Sequence, residues 1–475
     1  VVLQNDADQM EPGYTLFMVQ NRSARVNYIT IMNNSGEIVW YMPAPTLNDV
    51  DVRQLDNGDL FAVNGSLSRF LEINMLGQTV VTRNAPVGYP VDVHEGFVTD
   101  HGTILYLSSS NRMVTSFPSS DINSNAALMT ATVIDSRVIE ISAANSTLLN
   151  VWSPLDMLDP RRVTYLTYDP KGNYTSGSVD NEHGNAIFED TNDNSIIVSL
   201  RNQNAVFKFS RSHQLKWILG PPANWSINLQ PYLLKPVGAP FEWNYGQHAP
   251  MITPQSTLLL YDDGNYRASP FDAYIADPNN HSRAVEYSIN ETNMEVSQVW
   301  DTTQADEDRL FTPIIGKAQW LPLRRNVLVT YGYVTYINGV HPSSNAANAT
   351  MSRIVEYTHD PIPQVVSDIA FWDYNNTSTS YLGYFLYRAT RIPDLYAHPA
   401  LPVSNLMLTS TEGTIRLQFS ADPVWTYAIQ ASSDLVTWTT IGAAVQEGGI
   451  GDFEFDDLGG AQFSQRYYRV VTQKD

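Results

Sequence analysis

One strand recurs along this chain and limits what it can fold into. SRFLEIN (68–74), SRVIEIS (136–142), NAVFKFS (204–210), SRAVEYS (282–288) and SRIVEYT (352–358) share a pattern, and VNYITIM (26–32) is a looser sixth copy. Each alternates polar and apolar side chains, as a strand with two unlike faces must. A turn rich in Asn, Ser or Gly follows, then a strand ending in an aromatic: EIVWYM (37–42), LLNVWS (148–153), QLKWIL (214–219), VSQVWD (296–301) and IAFWDY (369–374). The second copy, QTVVTR, lacks the aromatic. Ahead of the marker lies a hairpin such as LDNGDLFAV (55–63) or VTDHGTILYL (98–107), with turn residues at its tip. Four short strands repeated six times predict an all-β, six-bladed β-propeller. A stack of sandwiches would not repeat one strand sequence six times.

Two stretches interrupt the period, 111–135 inside the third copy and 155–180 between the third and fourth, and are expected as loops on one face. After TSYLGYFLYRATRIPDLY (379–396) the pattern changes. IRLQFS, YAIQAS, TWTTIG, FEFDD and YYRVV, within 401–475, predict a small fibronectin/Ig-like β-sandwich. YAIQASSDLVTWTTI followed by RYYRV resembles a compact module at the C-terminus of many secreted bacterial proteins. The expected organisation is an arm over 1–12, loose or exchanged, a propeller over 13–396, a linker bracketed by Pro399 and Pro402, and a module over 401–475.

Three histidines hold one register of three successive repeats: His94 in PVDVHEGF, His183 in DNEHGNAI and His248 in YGQHAPMI. A radial repeat gathers such positions on its axis, at the start of the innermost strands. Arg201 lies eighteen residues after His183, at the end of SIIVSLRNQN, and a hairpin returns it beside that histidine. Three imidazoles and a guanidinium, read as having Glu95 and Glu182 for their acidic neighbours, are expected to make a cationic pocket for a small anion. Donors fixed around peripheral oxygens stabilise a loose phosphoryl- or sulfuryl-type transition state, and an imidazole can act as nucleophile. A lone histidine at a strand start usually bonds to backbone. Three in register with an arginine shift the balance towards a site. A His₃ metal site is permitted by residue type, but a neighbouring guanidinium repels a cation. His101, His213, His281, His341, His359 and His398 are read as solvated, and EDTND (189–193) as a hairpin tip.

A net charge of −21 argues against nucleic acid and anionic membranes as partners. No run of about 18 apolar residues is present to span a bilayer. With no cysteine, disulfides and thiolate metal sites are excluded. The low charged content (16%), the Asn-, Ser- and Tyr-rich composition and the frequent Asn-x-Ser/Thr sites fit a mature, exported protein. Neither GxxxxGK[ST] nor GxGxxG after a strand is present to cradle a nucleotide, and no cofactor is implied. GxSxG and HExxH are also missing.

HGNAIFEDTNDNSIIVSLRNQNAVFKF, KWILGPPANW, YGQHAPMITPQSTLLLYDDGN and LYRATRIPDLY resemble the bacterial aryl-sulfate sulfotransferases, over roughly residues 13–396. That resemblance implies an exported six-bladed propeller that moves a sulfuryl group from an aryl sulfate to a phenolic acceptor without a nucleotide donor. It implies a ping-pong reaction with His248 as the sulfated nucleophile and His183 and Arg201 holding sulfate oxygens. His94, followed by Glu95 where the family has Asp, would bind sulfate or exchange a proton with the phenol. Trp243, Tyr245 and Tyr331 are candidates to flank the ring. The family often carries a cysteine pair and a larger N-terminal β-domain used in dimerisation; this chain has no cysteine and about twelve residues before its first repeat. The rival reading is a non-catalytic extracellular protein for adhesion, glycan binding or filament formation. It would oligomerise through the arm or the C-terminal module.

Overall fold

The computed structural model describes residues 1–473 apart from 48–50, 170, 306–307, 344–348, 374–377, 381, 397–402, 412, 424, 448 and 450. It is all-β. Six sheets of four or five strands succeed one another between residues 2 and 392. The first joins Tyr14–Asn21, Val26–Asn33 and Ile38–Pro43 to Tyr384–Ile392 from the far end of the repeats. The second runs from Val52–Gln54 to Thr79–Asn84, the third from Gly96–Val98 to Leu148–Trp152, and the fourth from Gly184–Asp190 to Leu215–Leu219. The fifth spans His248–Ile252 to Glu295–Asp301 and the sixth Gly316–Trp320 to Val365–Phe371.

The recurring marker is the third strand of every sheet, counted from the strand nearest the histidines or its counterpart. In the third to sixth sheets its charged fifth residue reaches the following sheet: Glu140 to Arg211, Lys208 to Glu291, Glu286 to His359 and Glu356 to Arg391. The aromatic ending the fourth strand does the same. Trp40 Nε1 donates to Met75 O, Trp152 Nε1 to Arg211 O, Trp217 Nε1 to Glu291 Oε1 and Trp300 Nε1 to Asp360 O. Each acceptor lies in the turn between third and fourth strands of the next sheet. Trp and Tyr in such places contribute apolar area together with a satisfied polar end.

Buried side chains continue the succession. Ile104 packs with the first and second sheets, whereas the adjacent Leu105 packs with the fourth. Ile196 faces the third sheet and Ile197 the fifth, and Leu258 and Leu259 divide in the same way between the fourth and sixth. Successive residues of a strand point to opposite faces, so a strand covered on both sides must be apolar throughout, as SIIVSL is. Phe17 and Met32 of the first sheet share a cluster with Leu328 and Ile354 of the sixth, so the succession returns to its start.

Three expectations meet a different arrangement. Residues 111–135 largely extend one hairpin, Thr103–Pro118 against Leu128–Ser142, because alternation continues through both arms. Val2–Asn5 pair with Val365–Phe371 of the same chain, as the outermost strand of the sixth sheet. His359 and His281 are not solvated: His359 packs against Trp300 and Trp320, and His281 is pushed down to about 3, first by burial and then by Arg267. His398, Pro399 and Pro402 lie outside the described residues.

Beyond residue 403 two further sheets form, one led by Ser404–Thr411 and Thr414–Ser420 and one by Thr426–Ser432 and Tyr467–Gln473. They share a core of Leu417, Phe419, Tyr427, Ile429 and Phe453.

Candidate active site

The three histidines lie at the starts of the strands that open the third, fourth and fifth sheets, and each ring is aimed by its own turn. His94 and His183 follow aspartates closely. Asp92 Oδ1 accepts from His94 N at 3.0 Å and contacts its Nδ1 at 2.5 Å. Asp180 Oδ1 accepts from His183 N at 3.1 Å, and its Oδ2 contacts Nδ1 at 2.5 Å. A short polar side chain that bonds to backbone two or three residues on makes the turn and also orients the ring. His183 itself has φ +48, a left-handed conformation that costs a non-glycine residue about 1–3 kcal/mol and is concentrated at functional positions.

His248 is anchored differently. Its Nδ1 lies 3.1 Å from Gly246 O and 2.9 Å from Asp263 Oδ1 on the neighbouring strand end. A carbonyl oxygen can only accept, so Nδ1 carries the hydrogen and the neutral ring presents a lone pair at Nε2. Gly246 has φ +68, and a Cβ there would collide with Asn265 Oδ1, so the turn requires glycine. Gln247, fully buried, locks the segment to the fourth sheet through Ser199 Oγ, Leu200 O and Ala205 O. Register shifts between Gly184 and Ala186 and between His248 and Met251 mark bulges that re-aim the side chains at both strand starts.

These four predicted residues come together. The His94 and His183 rings meet edge to face, centroids 4.8 Å apart. Arg201 N donates to His183 O at 3.0 Å, as the returning hairpin requires. Arg201 Nε lies 3.9 Å from Asp263 Oδ2, and so beside the carboxylate that holds His248. Its Nη2 donates to Pro313 O at 3.1 Å and lies 3.5 Å from Asp169. Nε, among the described residues, has no hydrogen-bond partner. The side chains of His94 and His183 are 22% and 27% exposed and that of His248 only 2%, so the first two face solvent and the third forms the floor.

The electrostatics divide the three rings. Burial, then Arg201, Arg388, His183 and His94, hold His248 well below the ordinary histidine range. Burial also pulls His183 down against Asp180. Burial opposes charge on His94 too, but Asp92 outweighs it and the ring sits above its ordinary value. Asp263 is pushed up by burial, with Arg201 opposing.

Sequence reasoning missed several residues here. Carboxylates do surround the histidines, as Asp92, Asp180 and Asp263, visible in the sequence as D-x-H, D-x-x-H and the DDG that ends the next strand. Glu95 and Glu182 turn elsewhere, Glu95 to Arg53 and Arg388 and Glu182 to Ser136 N. Arg388, on the strand that completes the first sheet, pairs with Asp51 and Glu95 and donates from Nη2 to Asn185 O at 2.8 Å. Tyr387 OH bonds His94 O at 3.1 Å. The aromatics expected to flank a ring are occupied: Tyr331 with Tyr357 and Tyr261, and Trp243 with Phe241, while Tyr245 is buried. Among the described residues no group of three or more His, Cys, Asp or Glu is arranged to hold a metal ion.

The chain is 26% identical over 361 residues to the arylsulfate sulfotransferase AssT of Escherichia coli O6:H1, covering 64% of this chain and 57% of that protein. It is 25% identical over 373 residues to AssT of Lelliottia amnigena, covering 67% and 60%. The chain thus spans less than two thirds of the length of these relatives. Among solved structures, a Bacteroides caccae protein of unknown function aligns over 80% of this chain and 98% of its own, with 12% identity and a TM-score of 0.44. The model of one family, Arylsulfotransferase (ASST), matches residues 1–381, which take in all six sheets except their last-joined strand and contain His94, His183, Arg201 and His248. By that match the chain belongs to the arylsulfotransferase family.

Proposed function

We propose that this protein is an exported aryl-sulfate sulfotransferase that works through His248 without a nucleotide donor. Its scaffold is a six-bladed β-propeller over 13–396, edged by residues 1–12, with a β-sandwich over 401–475. The single observation that supports this most is the anchoring of His248 Nδ1 by Gly246 O and Asp263, which leaves the neutral Nε2 lone pair free, with Arg201 close to the same carboxylate. In the first half-reaction Nε2 attacks sulfur, an N–S bond forms, and the S–O bond to the aryl group breaks. The phenolate leaves with a proton from His94, the ring best able to hold one. The sulfated ring is cationic, and Asp263 stabilises it. Arg201 Nε donates to the peripheral sulfate oxygens, and His183, facing His94, completes the donor set. In the second half-reaction an acceptor phenol returns its proton to His94 and attacks sulfur, and the N–S bond breaks.

Brief exposure to an aryl sulfate followed by intact-mass measurement tests this. The expected result is one added sulfuryl group, absent in His248→Asn and removed by excess phenol. An unmodified wild-type chain that also fails to release a chromogenic phenol would reject the reading.

A second role in assembly has its own support. Ser404–Thr411 is an edge strand exposed along its whole length, with Leu406, Met407 and Leu408 all open. Such edges pair with other strands. Size-exclusion chromatography of wild type against Met407→Lys would show a shift to smaller species, and identical profiles would remove this role.

A further inference from the structure

The two stretches that interrupt the repeat pack on each other beside Arg201. Asp121, at the end of the long hairpin, accepts from Gly172 N at 2.8 Å and Tyr168 N at 3.3 Å, and Tyr168 OH donates to Pro118 O. Val114, Phe117 and Val133 share an apolar cluster with Val163 and Val179. This pinned segment brings Asp169 to Arg201 and, two residues on, sets Lys171 Nζ 4.8 Å from the Tyr266 ring and 4.0 Å from Tyr274. Tyr165, from the same segment, meets both rings at 5.6 and 5.8 Å, and its hydroxyl donates to Asp272 O at 2.6 Å.

The loop that carries Tyr266 and Tyr274 starts at the site. Asn265 Nδ2 donates to Pro313 O, the carbonyl that also accepts from Arg201 Nη2. Tyr266 and Phe271 have φ +59 and +73, positions where a bulky side chain is strained and persists only when its surroundings hold it. Arg267 does the holding, through Asp262, Asn280 and His281 O. The result is a fixed aromatic loop in which Phe271 and Tyr274 remain 43% and 46% exposed.

We infer that this surface is a subsite for the outer ring of a multi-ring phenolic acceptor, which makes Phe271 and Tyr274 specificity-determining residues. The inference rests on the sulfotransferase reading for its ligand class. An acceptor hydroxyl must reach the sulfur at Arg201 and His248, and any ring beyond the first then extends past Asn265 towards Tyr274 and Phe271. A one-ring phenol is then expected to leave that surface uncovered.

The test compares phenol with 4-hydroxybiphenyl. Aromatic contacts contribute about 0.5–1.5 kcal/mol, so Phe271→Ser and Tyr274→Ser should each weaken 4-hydroxybiphenyl binding about three- to tenfold. Both side chains are exposed, and the loop stays anchored by Arg267. Calorimetry reads binding directly and does not depend on turnover. With p-nitrophenyl sulfate as donor, the ratio of kcat/KM for 4-hydroxybiphenyl over phenol should fall by the same factor. Equal binding in wild type and both variants overturns the subsite. Weakened binding in the variants, in a chain that never becomes sulfated, upholds the subsite and rejects the sulfotransferase reading instead.

Discussion

His94 and His183 meet edge to face at 4.8 Å from neighbouring sheets, yet their environments pull them apart: Asp92 outweighs burial at His94, and burial outweighs Asp180 at His183. Of the two adjacent imidazoles, His94 is thus the one more inclined to hold a proton. That is the condition for one to serve as acid while the other binds neutral.

The pH profile should follow. His94 is raised, so kcat/KM for the aryl sulfate falls at high pH as that proton leaves, above the ordinary value of 6.5. No acid limb is expected near 6.5 from His248, which stays neutral well below it. His94→Gln should lower the rate and flatten the alkaline limb. An unchanged limb in that variant would assign the proton elsewhere. The stability effect has a definite sign: His94 contributes fully below pH 6.5, and the contribution is lost as pH rises through its raised value.

His248→Asn should abolish sulfation and lower turnover by at least about 10³-fold, more than the 10²–10³ typical of one lost transition-state donor. Quenched-flow measurement of the first phenol released checks it.

Asp263→Asn should cost less. Gly246 O still fixes the tautomer, so the loss is confined to charge opposite the sulfated ring, about 10²-fold in kcat. Intact-mass kinetics should show slower sulfation at unaltered stoichiometry.

Tyr387→Phe removes the hydroxyl that bonds His94 O at 3.1 Å and Asn185 O at 3.4 Å. The expected loss is about 1–2 kcal/mol of stability, read from urea unfolding, with a several-fold drop in kcat.

Glu11 links the N-terminal segment to the sixth sheet, accepting from Leu323 N and Arg324 N. Burial, against those two donors, raises its carboxyl to about 7, and Glu356 adds to the rise. The native state therefore holds a proton that the unfolded chain releases near 4.5, and stability declines as pH climbs from about 4.5 through 7. In Glu11→Gln the urea midpoint should vary less between pH 5 and 8.

The sequence makes the repeats legible because strand chemistry is local: the marker strands, the Trp-ended strands and the register of three histidines all appear where alternation and turn residues place them. The His183–Arg201 contact is readable too, because a hairpin returns on itself. Other partners are not, since they depend on which sheet adjoins which. Asp263 reaches His248 from the next strand, and Arg388 arrives from far along the chain. The long hairpin at 103–142 was hidden for another reason: its outer half packs on the 155–180 segment, so its polar-apolar alternation reads as loop composition until that cover is known.

The pairing of Tyr384–Ile392 with Tyr14–Asn21 has a consequence for how a functional molecule comes into being. Because Tyr387 and Arg388 on that late strand buttress the backbone at His94 and Asn185, the surroundings of His94 are complete only once the two distant segments have paired. A chain clipped ahead of that strand would keep His94, His183, Arg201 and His248 and lose both of these supports.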